Sequence, residues 1–84
     1  MVLIEENFVI SIDLNLFATL RSFLPDAPKI MTVSQGTCVM DLVKTIGIPE
    51  EDVKLIFING KRELLSYVLK DKDRVGIFPP VGGG

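Results

Sequence analysis

The chain of 84 residues contains no histidine and only one cysteine, Cys38. Without histidine it has no histidine general base and no His/Cys metal set, and a single cysteine cannot form an internal disulfide. Metal-dependent and histidine-based catalysis by side chains of this chain are therefore not expected. The cysteine usage predicts a reducing compartment.

Clustered positive charge and long apolar runs are also missing. Lysine and arginine are scattered and the formal net charge is −2, which argues against a nucleic-acid surface. No apolar run approaches the roughly 18 to 20 residues that span a bilayer, and residues 1–6 lack the basic region of a secretory signal. The sequence predicts a soluble cytoplasmic protein with neither a nucleic-acid nor a membrane partner.

Apolar residues make up 48% of the chain, which is typical of a globular protein rather than a disordered one. A chain of this length buries only roughly 60 to 65% of its unfolded surface, too little for two cores. We predict one domain over residues 1–78, followed by a flexible tail over residues 79–84.

The first half of the chain shows strand and helix periodicities in turn. Apolar residues alternate from Phe8 to Leu16, which predicts a long strand with one buried face. Residues 18–24 can form a short helical turn, and residues 29–33 are the second predicted strand. Thr37 can cap a helix whose apolar positions run from Val39 to Ile46, and Gly47 then supplies the left-handed residue that ends it.

The second half contains three predicted strands. Residues 53–58 are rich in β-branched and aromatic side chains and lead into Asn59-Gly60, which favours a tight hairpin turn. Residues 61–69 predict a short edge strand and an irregular stretch. Residues 74–78 form a last strand that must end at Pro79 and Pro80, because proline donates no ladder hydrogen bond. This order predicts an α+β fold in which a small mixed sheet wraps one main helix, the ubiquitin-like β-grasp.

The tail is the most specific feature, because the sequence ends in Phe78-Pro79-Pro80-Val81-Gly82-Gly83-Gly84. Glycines have no Cβ, so such a tail can enter a channel too narrow for other residues. Together with Leu16-Phe17-Ala18-Thr19-Leu20-Arg21 and Asn59-Gly60, this ending resembles the MoaD branch of the MoaD/ThiS sulfur-carrier proteins over almost the whole chain.

The chain departs from that family pattern at four places. Residues 1–7 extend past the family's typical start and are expected to form an extra strand segment or a loose arm. Gly82 stands where threonine or serine is common, which makes the tail more flexible. The acidic-glycine turn before the last strand reads Asp71-Lys72-Asp73. Lys61-Arg62 stands near a position where the family often has a hydrophobic docking residue.

The resemblance implies a carrier rather than an enzyme. An adenylating partner of the MoeB/ThiF type would use ATP and Mg²⁺ to activate the Gly84 carboxylate, and sulfur would then replace AMP to give a thiocarboxylate. A MoaE-like synthase subunit would accept that sulfur for molybdopterin, the precursor of the molybdenum or tungsten cofactor. The chain itself would bind no cofactor and no metal.

Residues near the tail would dock on these partners. Gly82 and Gly83 would thread the partner channel, and the expected docking residues are Phe17, Phe78, Pro79, Pro80, Val81 and Arg62. Phenylalanines more often belong to the core, but Phe17 breaks from the buried register of Leu14 and Leu16, which favours the outer face. Three alternatives remain open: a ThiS-like carrier for thiazole or another sulfur metabolite, a ubiquitin-like modifier conjugated through Gly84, and a non-reactive interaction module.

Overall fold

The sheet and helix follow from the hydrophobic periodicities of the sequence. The computed structural model describes residues 8–24 and 30–80. Its elements are β1 (Val9–Leu16), a 3-10 helix (Ala18–Phe23), β2 (Ile30–Ser34), α1 (Val39–Ile46), a second 3-10 helix (Glu50–Asp52), β3 (Leu55–Ile58), β4 (Lys61–Glu63) and β5 (Arg74–Phe78). The predictions for residues 1–7, the break before β2 with Lys29, and the tail residues 81–84 lie outside the described residues.

The five strands form one sheet in the order β2-β1-β5-β3-β4. The central pair β1 and β5 is parallel, and the other three pairs are antiparallel. The first and last strands are therefore neighbours at the centre, and α1 covers one face. The predicted α+β ubiquitin-like β-grasp is confirmed.

One hydrophobic core fills the space between the sheet and α1. The inward side chains of the strands alternate with outward ones, and α1 contributes residues at the spacing i, i+3 and i+4, so both elements place one apolar stripe in the same layer. The buried members are Ile10, Ile12, Leu14, Leu20, Val39, Leu42, Val43, Ile48, Ile56, Ile58, Leu69, Val75 and Ile77.

The turn between β3 and β4 has the predicted form. Asn59 and Gly60 have φ angles of 54° and 84°. Two successive left-handed residues fit the right-handed twist of the flanking strands, which is why this dipeptide is common in hairpins. Beyond the three-residue β4, the chain is irregular as predicted, until β5 begins at Arg74.

Two predictions about the first half of the chain are wrong. The N-cap of α1 is Cys38, not Thr37, because the Cys38 carbonyl accepts the first helical bond from Leu42 and its N–H donates to the Asp41 carboxylate at 3.3 Å. Phe8 does not face the core and is 68% exposed. It precedes β1 and lies at the turn end of the sheet, where its carbonyl accepts from Gln35.

The start of β3 also differs from the prediction. Residues 50–52 form a 3-10 helix that ends when the Val53 N–H donates to the Glu50 carbonyl at 3.0 Å. The ladder partner of Leu55 is Phe78, so strand pairing begins there rather than at Val53. The C-terminus of α1 is as predicted, with Gly47 left-handed at φ 95°.

Candidate functional site

The tail leaves the sheet at the end of β5, where backbone bonds from both sides hold the last two strand residues. The Phe17 N–H donates to the Ile77 carbonyl at 3.1 Å, and the Lys54 N–H donates to the Phe78 carbonyl at 2.8 Å. Beyond this point Pro79 is half-buried and Pro80 is exposed. Because neither proline can donate a ladder bond, sheet pairing ends at the predicted place.

Three phenylalanines surround this exit and form what we call the aromatic cluster, Phe17, Phe57 and Phe78. The rings of Phe17 and Phe78 are stacked, with 4.2 Å between centroids and 3° between planes. Phe57 meets Phe78 edge-on, at 5.7 Å and 84°. Such aromatic pairs contribute about 0.5 to 1.5 kcal/mol each beyond the area they bury. The cluster therefore fixes the orientation of the Phe78 side chain, in the residue that directly precedes the tail.

The aromatic cluster lies on the face of the sheet opposite α1. Ile56 and Ile58 are buried in the core, so Phe57 between them points outward, and the ladder places it beside Gly76 of β5. Phe17 is 39% exposed. The expectation that Phe17 lies on the outer face is confirmed, whereas its role in docking, and that of Phe78, stays a prediction.

Gly76 makes the close stacking possible. A Cβ at this position would lie 3.3 Å from Cε2 of Phe17 and 3.6 Å from Cε1 of Phe78. Both rings therefore rest against a strand surface that has no side chain of its own. Neither Gly76 nor Phe57 was among the sequence-predicted site residues, although a glycine inside a strand often marks such a close approach.

Arg62 borders the aromatic cluster. It is the direct cross-strand partner of Phe57 in the antiparallel β3-β4 pair, and directly opposed residues project from the same face. Its side chain is exposed, as are those of Pro80 and Phe17. The structure thus brings Arg62, Phe17, Phe78 and Pro79 to one region. Val81, Gly82, Gly83 and Gly84 lie outside the described residues.

The turn before β5 contains a buried carboxylate that sequence analysis missed. Asp73 is only 5% exposed, and its side chain accepts hydrogen bonds from Asn59 Nδ2 at 2.8 Å, the Tyr67 hydroxyl at 3.1 Å and the Lys70 N–H at 2.8 Å. The side-chain oxygen Oδ1 of Asn59 in turn accepts from the Arg74 N–H at 2.9 Å. This network ties the hairpin turn to the start of β5.

The same network acts on the only tyrosine. Burial, followed by the hydrogen bond to Asp73 and the nearby negative charges of Asp73 and Glu63, raises the pKa of Tyr67 above its ordinary value. All of these causes favour the neutral phenol, which is the form that can donate to Asp73. Tyr67 therefore serves as a hydrogen-bond donor within the fold.

Other kinds of site find no support in the described parts of the chain. Residues 8–24 and 30–80 contain no group of three or more histidine, cysteine, aspartate or glutamate side chains placed to hold a metal ion. No helix in those segments is long and apolar enough to cross a membrane.

Comparison with known proteins agrees with the fold. The five-stranded mixed sheet with its one main helix defines a ubiquitin-like fold. The chain belongs to the Mut7-C ubiquitin family, whose model matches residues 9–82. No curated protein sequence matches it.

Three solved structures show the similarity. A solution structure of the Haloferax volcanii HVO 2177 protein has a TM-score of 0.71 and 24% identity, over 95% of this chain and 92% of that one. A putative molybdopterin converting factor subunit 1 from Pyrococcus furiosus has a TM-score of 0.60 and 27% identity, over 86% and 99%. The small archaeal modifier protein 1 of Methanosarcina acetivorans has a TM-score of 0.59 and 27% identity, over 90% and 98%. The resemblance to MoaD-like proteins is confirmed.

Proposed function

We propose that this chain is a sulfur carrier whose reacting group is the carboxylate of Gly84. The observation that carries the proposal is the tail exit: Phe17 of the aromatic cluster and Arg62 are exposed where β5 passes into Pro79-Pro80, and the sequence continues into the glycines. A partner that binds this face receives the tail beside it. Solved structures of the same fold include a putative molybdopterin converting factor subunit and a small archaeal modifier protein.

The proposed chemistry takes place in partners of this chain. A carboxylate oxygen of Gly84 attacks the α-phosphorus of ATP and pyrophosphate leaves, which gives an acyl adenylate. Sulfide then attacks the activated carbonyl carbon, the bond to the AMP oxygen breaks, and a thiocarboxylate results. The adenylating partner, of the MoeB/ThiF type, supplies Mg²⁺ and the groups that stabilise the negative charge.

For the acceptor of the sulfur we propose molybdopterin synthesis with a MoaE-like subunit in the cytoplasm. This choice is supported by the likeness to the Pyrococcus furiosus converting factor and by the Phe-Pro-Pro-Val tail. A thiazole pathway remains the alternative within the carrier class. An acceptor assay would separate the two, because a loaded carrier should transfer its sulfur to only one of the two synthases.

Protein modification is a second candidate function, favoured by the likeness to the small archaeal modifier protein 1. It shares the adenylate but ends in an isopeptide bond between the Gly84 carbonyl and a target lysine. Immunoblots of cell extract distinguish the two functions. A modifier appears as a series of higher-mass conjugates that disappear when Gly83 and Gly84 are deleted, and a carrier appears as a single free band.

The experiment that tests the docking face uses ATP-pyrophosphate exchange by an adenylating enzyme, with this chain as the variable substrate. Arg62→Ala should raise the KM about fivefold or more, since an exposed interfacial arginine commonly contributes on the order of 1 kcal/mol or above. Lys61→Ala is the matched control, because Lys61 pairs with Ile58 and projects from the other face. Equal KM values for the two variants would show that the adenylating enzyme binds another face of the chain.

A further inference from the structure

A groove separate from the tail exit lies between β2 and α1. It encloses about 390 Å³. Met31, Val33 and Leu42 are its apolar lining residues, and threonines and Asp41 are among its polar ones. At roughly 30 Å³ per molecule, the volume corresponds to about a dozen waters. The groove therefore has room for apolar side chains of a bound segment.

The strand that forms one wall of the groove is at an edge of the sheet. In the order β2-β1-β5-β3-β4, β2 pairs only with β1 among the described strands. An edge strand offers its outward N–H and C=O groups to an added strand. In β2, the side chains alternate between the groove and the outer face, so an added strand would place every second side chain toward the groove.

The hydrogen-bond pattern identifies which groups are directed outward. The Gln35 N–H donates to the Phe8 carbonyl at 2.9 Å, which makes that pair hydrogen-bonded. Bonded and non-bonded pairs alternate along an antiparallel ladder, so the pair three positions on, Ser11 and Thr32, is non-bonded. The N–H and C=O of Thr32 therefore point away from β1, toward the open edge.

The partner residue Ser11 confirms this alternation from the other side. Its N–H donates to Asp71 Oδ1 at 2.8 Å, and its carbonyl accepts from the Lys72 N–H at 2.6 Å. Both groups are thus directed away from β2. Within residues 8–24 and 30–80, no residue forms a backbone hydrogen bond with the Thr32 N–H or with the Thr32 carbonyl. One donor and one acceptor are therefore open at the middle of the edge.

Charge indicates which segment fits. Among the described residues that line the groove, Asp41 is the one that carries a charge. Its hydrogen bonds from the Cys38 N–H and Sγ both end on Oδ2, at 3.3 and 3.4 Å. Oδ1 can accept from a further donor, and a lysine or arginine side chain supplies one with the opposite charge.

From these observations we infer that the β2 edge binds an extended segment of another protein by strand addition. Its backbone pairs with Thr32, its alternate apolar side chains enter the groove beside Met31 and Leu42, and a basic side chain reaches Asp41. β2 and the tail-bearing β5 lie on opposite sides of β1. The site is therefore independent of the chemistry proposed for Gly84.

This inference is tested by titrating the protein with a synthetic peptide and recording the NMR chemical shifts of its backbone amides. The peptide has about seven residues, enough to span the five residues of β2, and its alternate positions carry valine and one central lysine. We expect the largest shifts at Met31, Thr32, Val33, Leu42 and Thr45. Replacing the lysine by glutamate should weaken binding about tenfold or more, since a charge-assisted contact becomes a repulsion.

Two variants with matched controls make the test specific. Thr32→Pro removes the outward N–H without removing a bond to β1, and should abolish binding, whereas Thr32→Val retains the N–H and should bind normally. If Thr32→Pro fails to fold, Thr45→Arg serves instead, because it fills the groove and repels the lysine. Its control is Thr19→Arg, an exposed position in the first 3-10 helix.

Three outcomes would overturn the inference. The first is the absence of shifts up to about millimolar peptide, the weak end of specific recognition. The second is shifts centred on Phe17 and Phe78 rather than on β2. The third is concentration-dependent sedimentation of the chain alone that Thr32→Pro abolishes, which would make the occupant of the edge a second copy of this chain.

Discussion

The ring of Phe17, in the residue after β1, lies parallel to the ring of Phe78, the last residue of β5, with 4.2 Å between their centroids. The two residues are 61 positions apart in sequence and meet because β1 and β5 are parallel neighbours. A backbone hydrogen bond from the Phe17 N–H to the Ile77 carbonyl also joins the two strand ends. The end of β5, from which the tail continues, is thereby held against the end of β1.

Replacing Phe17 by alanine should impair docking more than folding. Its side chain is 39% exposed, so we expect a loss of about 1 to 2 kcal/mol in the free energy of unfolding, from the stack and the partial burial. The KM for adenylation should rise about tenfold or more, the size of a hot-spot contact. Urea unfolding and pyrophosphate exchange measure the two effects.

The control for this variant is Val68→Ala. Val68 is also an exposed apolar side chain, at 51%, but it pairs with Cys38 at the start of α1, away from the aromatic cluster. Val68→Ala should leave the KM for adenylation unchanged. A Phe17→Ala protein with a normal KM would contradict the docking role and leave the stack as a feature of stability alone.

The stack should depend on the absence of a side chain at Gly76. Gly76→Ala places a Cβ 3.3 Å from Phe17 and displaces that ring, with an expected loss of about 1 kcal/mol from the stack. In a Phe17→Ala background the same change should be close to neutral. The double-mutant cycle measured by urea unfolding gives the coupling directly. Additive effects would show that Phe17 and Gly76 act independently.

Tyr67→Phe should lower the stability of the fold and change how that stability depends on pH. The change removes the hydroxyl that donates to Asp73, with an expected cost of about 0.5 to 1.5 kcal/mol at neutral pH. The pKa of Tyr67 is raised in the folded state. Its contribution to the free energy of unfolding is therefore fully present below the unfolded-state pKa of about 10, and it is lost as the pH rises through the folded-state pKa.

Thermal melts between about pH 9 and about pH 11 measure this loss. The parent protein should lose melting temperature over this range more steeply than Tyr67→Phe does. As the chain has one tyrosine, phenolate absorbance reports its pKa without interference from another residue. Parallel melting curves for the two proteins would contradict the assigned hydrogen bond.

Lys72 occupies a left-handed conformation, with φ of 71°, in the turn before β5. This conformation is costly for residues with a Cβ, so Lys72→Gly should stabilise the fold by up to about 1 kcal/mol after the extra chain entropy of glycine is subtracted. Lys72→Ala removes the same charge without relieving the backbone, and should gain nothing. Urea unfolding of the two variants compares them, and a Lys72→Gly protein no more stable than Lys72→Ala would contradict backbone strain here.

Local sequence patterns predicted most of the fold. The prolines after Phe78 and the glycine at position 47 mark element ends, and β5 and the end of α1 agree with these signals. The N-cap was mispredicted because threonine has the higher intrinsic preference, whereas the bond between the Cys38 N–H and Asp41 decides the actual cap.

The candidate site was predicted less completely, for a physical reason. Phe17, Phe78 and Arg62 could be named from the tail and the family resemblance. Asp73 could not, since its partner Asn59 is 14 positions away and no local periodicity records such a bond. The β2 groove similarly requires two elements to be placed side by side before it exists.

Intact-mass spectrometry is the most direct test of the proposed function. The chain is incubated with an adenylating enzyme, ATP, Mg²⁺ and sulfide, and its mass is compared with that of a chain lacking Gly83 and Gly84. We expect the full chain to gain the mass difference between one sulfur and one oxygen, located at Gly84 by fragmentation, and the shortened chain to keep its mass. An unchanged mass in a chain that is folded and ends in a free Gly84 would contradict it.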